Sequence, residues 1–220
     1  MDYEMIAALI VFIASLIGFL YGVVTIVVRR NALYLKMIAL GIACIMISYF
    51  YFTLQLLTRE MIPSGFNVGM LGLVGCFLFL LSANYGQMDS LADDGSKTFA
   101  KYRYISYVAP IVLAVVFVFA YMTSAELAKK ISYTLVAAIV VAASRFHLKH
   151  IIFPDVDYGV IKCIRGYNMI ALVLCAATII MMVSDCAQIA GLYIVSNIII
   201  AGCCVIVLPV LKREVAKWTI

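Results

Sequence analysis

From Met5 to Val28 the chain carries no charged residue, and charge is likewise absent from Met37–Thr58, Met61–Met88, Tyr104–Ala125, Ile131–Ser144, Gly166–Ser184 and Cys186–Leu211. A helix crosses the hydrocarbon core of a bilayer with roughly 20 apolar residues. Cut at their charged breaks, these runs predict helices near 4–28, 34–58, 67–86, 104–122, 131–151, 166–187 and 189–211. The runs are apolar over whole helical lengths and do not alternate in ten-residue pieces, which excludes a transmembrane β-barrel. Of 220 residues, 66% are apolar and 12% charged; soluble domains run nearer 45–50% and about 25%. The expected fold is therefore all-α, a single seven-helix membrane bundle over 1–220 with no room for a soluble domain.

Cytoplasmic loops of membrane proteins collect Lys and Arg. Thirteen of the 16 basic residues fall on one side, from Arg29 and Arg30 to Lys212, Arg213 and Lys217, and only Arg59, Lys129 and Lys130 fall on the other. This predicts a cytoplasmic C-terminus and, with an odd number of spans, an outside N-terminus. The acidic start, Asp2 and Glu4, agrees and lacks the basic n-region of a cleaved signal. The expected location is the cell membrane, multi-pass, in a bacterial inner membrane. The net charge of +5 is then a topology signal, and no nucleic-acid partner is expected. The seven cysteines form no CxxC pair and read as packing residues.

Three short matches recur at offsets of 130, 132 and 130 residues: Ala7–Val11 with Ala137–Val141, Met37–Leu40 with Met169–Leu172, and Asn67 and Gly72 with Asn197 and Gly202. They allow a parallel three-plus-one-plus-three duplication, 4–86 and 131–211, with the fourth helix as connector. Chance agreement within a small apolar alphabet is the favoured reading.

Buried polar side chains are the first pointers to function in a bilayer. No ionisable residue lies near the middle of a span, which argues against a proton pump or voltage sensor, and the seventh helix has no internal Lys to hold retinal. Neutral polar residues collect toward the outer side: Gln55, Tyr121, Gln188 and Asn197, with Asp185 as the charged anchor. Converging, they would line a shallow pocket for a cationic or hydroxyl-bearing small molecule. Left apart, Asn and Gln would join helices and Tyr would sit at the interface.

On the inner side the loop of Asp89, Asp93, Asp94 and Lys97 mixes charges, as a self-neutralising wet loop or as a docking surface for a partner. His147 and His150, followed by Asp155 and Asp157, have ligand-like spacing, but Arg145 and Lys149 beside them repel a cation, so no metal site is expected. Pro110 and Pro209 are expected to kink or end their helices. HExxH, GxSxG, a Walker loop and paired intramembrane carboxylates are all missing, so no enzymatic activity and no cofactor are expected.

The second-helix pattern Leu40–Phe50 and the third-helix ending Phe79–Gly86, before a Pro-containing fourth helix, resemble the seven-helix sensor regions of bacterial histidine kinases and related signalling proteins. The resemblance implies a ligand-sensing membrane module. Because the chain stops at Ile220 where such regions feed an output domain, the output would reside in a separate cytoplasmic or membrane protein partner. The competing class is a small-solute transporter similar to the SWEET and PQ-loop carriers, although no Pro-Gln pair occurs here. Nicotinamide riboside-type carriers rely on Trp-rich motifs, and this chain has only Trp218. A third class is a structural or assembly subunit of a membrane complex.

Overall fold

A computed structural model describes residues 3–28, 32–85, 89, 93, 95–154 and 160–216. The helices are α1 Tyr3–Gly22, continued by a π-helical turn Val23–Val27, α2 Leu33–Arg59, α3 Val68–Asn84, α4 Val108–Thr123, α5 Leu127–Ile152, α6 Val160–Cys186 and α7 Ala190–Ala216. A 3-10 turn, Lys97–Phe99, and a short helix, Ala100–Ile105, lead into α4. No strand occurs among the described residues. Six helical segments are long and apolar enough to cross a membrane, and α3, at 17 residues, is a shorter apolar helix.

The helices follow the uncharged runs but overreach them where basic residues can stay at the rim. Thus α6 begins at Val160 rather than 166, taking in Lys162 and Arg165, and α7 runs to Ala216 through Lys212 and Arg213. Long basic side chains reach from a helix end to the interface, so they need not end the helix. Pro209 lies inside α7 without ending it, and Pro110 stands in the first turn of α4, where a missing N–H costs little. The chain instead breaks at Ser106–Tyr107, and Arg145 of α5 stacks over the Tyr107 ring at 4.1 Å.

Six helices close a ring in the order α1, α2, α3, α5, α6, α7 and back to α1, while α4 packs outside it against α5 and α6. Along α4 only Leu113 and Ala120 are buried, and Ile111, Val115 and Phe119 face outward, as do Ile17 and Leu20 of α1. Lipid tails are as apolar as Leu, so close approach of small residues does much of the work of holding such helices together. A Cβ on Gly18 would run into the Cys204 carbonyl of α7, and one on Gly72 would lie 2.7 Å from the Cys44 carbonyl of α2. Ser48 Oγ adds a hydrogen bond from α2 to the Gly69 carbonyl of α3 at 2.6 Å.

The ring order is unchanged when α1–α3 are exchanged for α5–α7. The residues matched in the sequence nevertheless stand in different surroundings. Asn67 caps α3, accepting from the Met70 N–H at 3.1 Å, whereas Asn197 is buried inside α7. Gly72 is wedged against α2, whereas open space surrounds the Cβ position of Gly202. All seven cysteines are free thiols.

Candidate functional site

At the end of the bundle that carries Asp185, a cavity of about 180 Å³ opens on the ring axis. Every ring helix contributes: Glu4 from α1, Tyr49 and Phe52 from α2, Met70 and Leu73 from α3, Lys129 and Tyr133 from α5, Met181 and Asp185 from α6, and Tyr193 from α7. Glu60–Ser64, between α2 and α3, and Gln188, between α6 and α7, form the rim. The floor is buried and made of rings and thioethers, while Glu60 and Gln188 are exposed and Glu4, Lys129 and Asp185 half-buried.

One carboxylate organises one wall. Asp185 Oδ2 lies 2.8 Å from Lys129 Nζ and accepts a hydrogen bond from the Tyr133 hydroxyl at 2.6 Å, so the start of α5 is tied to the end of α6. Gln188 Nε2 donates to the Asp185 carbonyl at 2.7 Å. Deeper, the Tyr49 hydroxyl donates to Asn197 Oδ1 at 2.8 Å, and Asn197 Nδ2 donates to the Tyr193 carbonyl at 2.8 Å, which closes the floor. Among the described non-glycine residues only Glu60 (φ 60°) and Gln188 (φ 56°) adopt positive φ, and both sit on this rim. Both end a helix, Glu60 as the C-cap of α2 and Gln188 just past α6, where the Ile189 N–H donates to the Ser184 carbonyl at 2.8 Å; left-handed backbone is common at such ends.

Of the five residues singled out in the sequence, Asp185 and Gln188 line the cavity, and Asn197 lies buried behind Tyr49 without lining it. Gln55 and Tyr121 do not join them. Gln55 is about two-thirds of a turn around α2 from Tyr49, on a different face, and its buried Oε1 has no hydrogen-bond partner. Tyr121 belongs to the peripheral α4 and lies under Lys130 Nζ at 4.9 Å, outside the ring. Lys129, Tyr133, Glu4 and Glu60 complete the site. The charges of Lys129, Glu4 and Glu60 have a topological explanation at helix ends, and only the ring closure brings them with Tyr133 to one mouth.

A second polar centre lies at the opposite end. Asn84 Nδ2 donates to Asn168 Oδ1 at 2.9 Å, and His147 Nδ1 sits 2.8 Å from Asn84 Nδ2 and 2.9 Å from Asn168 Oδ1. All three side chains are buried. Beside them, Lys149 Nζ reaches Asp89 Oδ1 at 2.6 Å and Asp93 Oδ2 at 2.9 Å, and His150 Nε2 stands 3.4 Å from Asp89 Oδ1. Arg103 grips Asp93 with two bonds of 2.7 Å, and the Gly95 N–H adds a third at 3.1 Å.

The Arg103 guanidinium holds the Asp93 carboxyl far below the usual carboxylate range, against a smaller opposing effect of burial. For Asp89, burial works upward, but hydrogen bonds from His150 and Lys149 outweigh it and leave the carboxyl lowered. Asp89 and Asp93 are therefore engaged from within, and of the described docking residues only Lys97 is exposed. Asp94 lies outside the described residues, as do Asp155 and Asp157. Among the described residues no group of three or more His, Cys, Asp or Glu side chains is placed to hold a metal ion.

Comparison with family models, curated proteins and solved structures finds no match.

Proposed function

We propose that this chain is a multi-pass membrane sensor that binds a small cation-bearing molecule in the cavity at the Asp185 end and reports it at the Asp93 end. The observation that carries this reading is the span of α5. Lys129 and Tyr133 at its start hold Asp185, and His147, Lys149 and His150 at its end hold Asn84, Asn168, Asp89 and Asp93. Twenty residues of helix separate Lys129 from Lys149, about 30 Å at ~1.5 Å per residue, which matches the thickness of a bilayer core of ~30 Å.

The lining carries three carboxylates, Glu4, Glu60 and Asp185, against one ammonium, Lys129. A ligand cation competes with Lys129 for Asp185, loosens the start of α5 from α6, and favours a packing in which the far end of α5 releases Asp89 and Asp93. A ligand shifts such an equilibrium only by its differential affinity for the two packings, and the ion pair it displaces supplies that difference. Released, the acidic loop would face a separate partner protein. The 13-to-3 division of basic residues supports an outside cavity and a cytoplasmic loop, in a seven-span arrangement of a bacterial inner membrane.

The test uses the Lys129→Met variant, which breaks the ion pair without a ligand. In lipid nanodiscs, trypsin cleaves after Arg103 faster in this variant than in the wild type if the two ends communicate. An unchanged rate, with acceleration only in Lys149→Met, would overturn the sensing reading.

The ring order favours one second reading, a carrier. Two interchangeable three-helix halves around an axial cavity suit alternating access. Accumulation of a small ammonium solute in proteoliposomes would support the carrier; binding without accumulation supports the sensor.

A further inference from the structure

We infer that the cavity recognises an alkylated ammonium group, such as trimethylammonium, in preference to a primary amine or an inorganic cation. This deepens the binding reading above and rests on it. The cavity is chemically layered. Its buried floor presents the rings of Tyr49, Phe52, Tyr133 and Tyr193 and the thioethers of Met70 and Met181. Its carboxylates, Glu4, Glu60 and Asp185, are half-buried or exposed toward the rim.

That layering separates the three kinds of cation. An inorganic ion needs several oxygen ligands converging at ion–ligand distance, and these carboxylates stand on different walls without forming a group able to hold a metal. A primary ammonium carries three N–H donors that must find acceptors once desolvated. On the floor, the Phe52 ring and the Met70 and Met181 side chains offer carbon and weakly accepting sulfur, and the Tyr49 and Tyr133 hydroxyls, turned toward Asn197 and Asp185, keep only their remaining lone pairs to accept with. A quaternary ammonium has no N–H to satisfy. Its charge is spread over methyl groups that rest on aromatic faces, where cation–π attraction is strongest without water.

Size agrees. An apolar cavity of about 150 Å³ holds one benzene, so 180 Å³ has room for one compact head group. The acidic rim, with Glu4, Glu60 and Asp185 against Lys129, steers the charge to the mouth.

Such a head group can come from a free solute or from a choline-bearing lipid. The experiment titrates protein in phosphatidylglycerol nanodiscs, by calorimetry, with choline, ethanolamine and 3,3-dimethyl-1-butanol. The last two remove the methyl groups and the charge, respectively. Choline is expected to bind at least roughly tenfold more tightly than either, a difference of ~1.4 kcal/mol. Phe52→Leu is expected to weaken choline roughly 3- to 30-fold, and the fold-neutral Glu60→Gln to weaken choline but not the alcohol. Equal or tighter binding of ethanolamine would overturn the alkylated-ammonium class while leaving the binding reading intact. Equal binding of the alcohol would overturn charge recognition, and no heat with any of the three would overturn both readings. Repeating the choline titration in phosphatidylcholine nanodiscs identifies the source. Suppressed binding there marks lipid head groups as occupants, unchanged binding marks a free solute, and either result upholds the class.

Discussion

Replacing Lys149 with Met removes an ammonium that two carboxylates share. The Lys149 side chain is 6% exposed, that of Asp93 7% and that of Asp89 23%. Removing one partner of a fully buried pair costs about 3–5 kcal/mol, whereas an exposed pair is worth ~0–1 kcal/mol. The two carboxylates left behind are not equally exposed to loss. Asp93 keeps both Arg103 bonds and the Gly95 N–H, and Asp89 keeps, among the described residues, only His150 at 3.4 Å. Most of the penalty therefore falls on Asp89, which is partly solvated, and the expected destabilisation is about 2–3 kcal/mol, between the two limits. The near-isosteric Met keeps the stem packed, so the loss reports charge rather than volume. Reversible SDS unfolding followed by circular dichroism measures it. A loss below about 0.5 kcal/mol, the size of an exposed pair, would refute the claim that this end of α5 clamps the loop.

Three further perturbations follow from the same contacts. The folded Asp93 and Asp89 carboxyls are lowered, so their stabilisation is complete above the ordinary value of 3.8 and is lost as pH falls below it; acid unfolding between pH 4 and 2 should be steeper in wild type than in Arg103→Gln, and parallel curves would count against it. Glu60→Gly relieves a left-handed backbone and should raise stability by about 0.5–1 kcal/mol while weakening choline, and a less stable variant would show that the side chain serves the fold. Gly18→Ala forces α1 from the Cys204 carbonyl and should cost about 1–3 kcal/mol in the same SDS assay, with Gly202→Ala as the neutral control; equal effects would contradict the packing.

The helices were legible because uncharged runs such as Met5–Val28 leave a chain little else to form. Which face of each helix meets protein was not, because in a membrane Ile and Leu serve both faces. Nothing in the α4 sequence distinguishes a peripheral helix from a ring helix, and so Tyr121 was expected in the pocket. Asp185, Gln188 and Asn197 were readable as isolated polar residues near one turn. Lys129 and Glu60 were not, since a charge at a helix end has a topological explanation that hides any other. The inner centre went unread for the same reason: His147, His150 and Lys149 resembled a basic helix end, whereas their side chains turn inward to Asn84, Asn168 and Asp89.

The central claim is that the two ends of α5 are coupled, and a double-mutant cycle between Lys129→Met and Lys149→Met measures that coupling directly. Sites so far apart, without shared partners, normally add within about 0.3–0.5 kcal/mol. If breaking the Asp185 pair already releases the loop, Lys149→Met costs at least ~1 kcal/mol less in the Lys129→Met background than in wild type. Additivity within about 0.5 kcal/mol would contradict the account, leaving two polar ends that share a helix but no equilibrium.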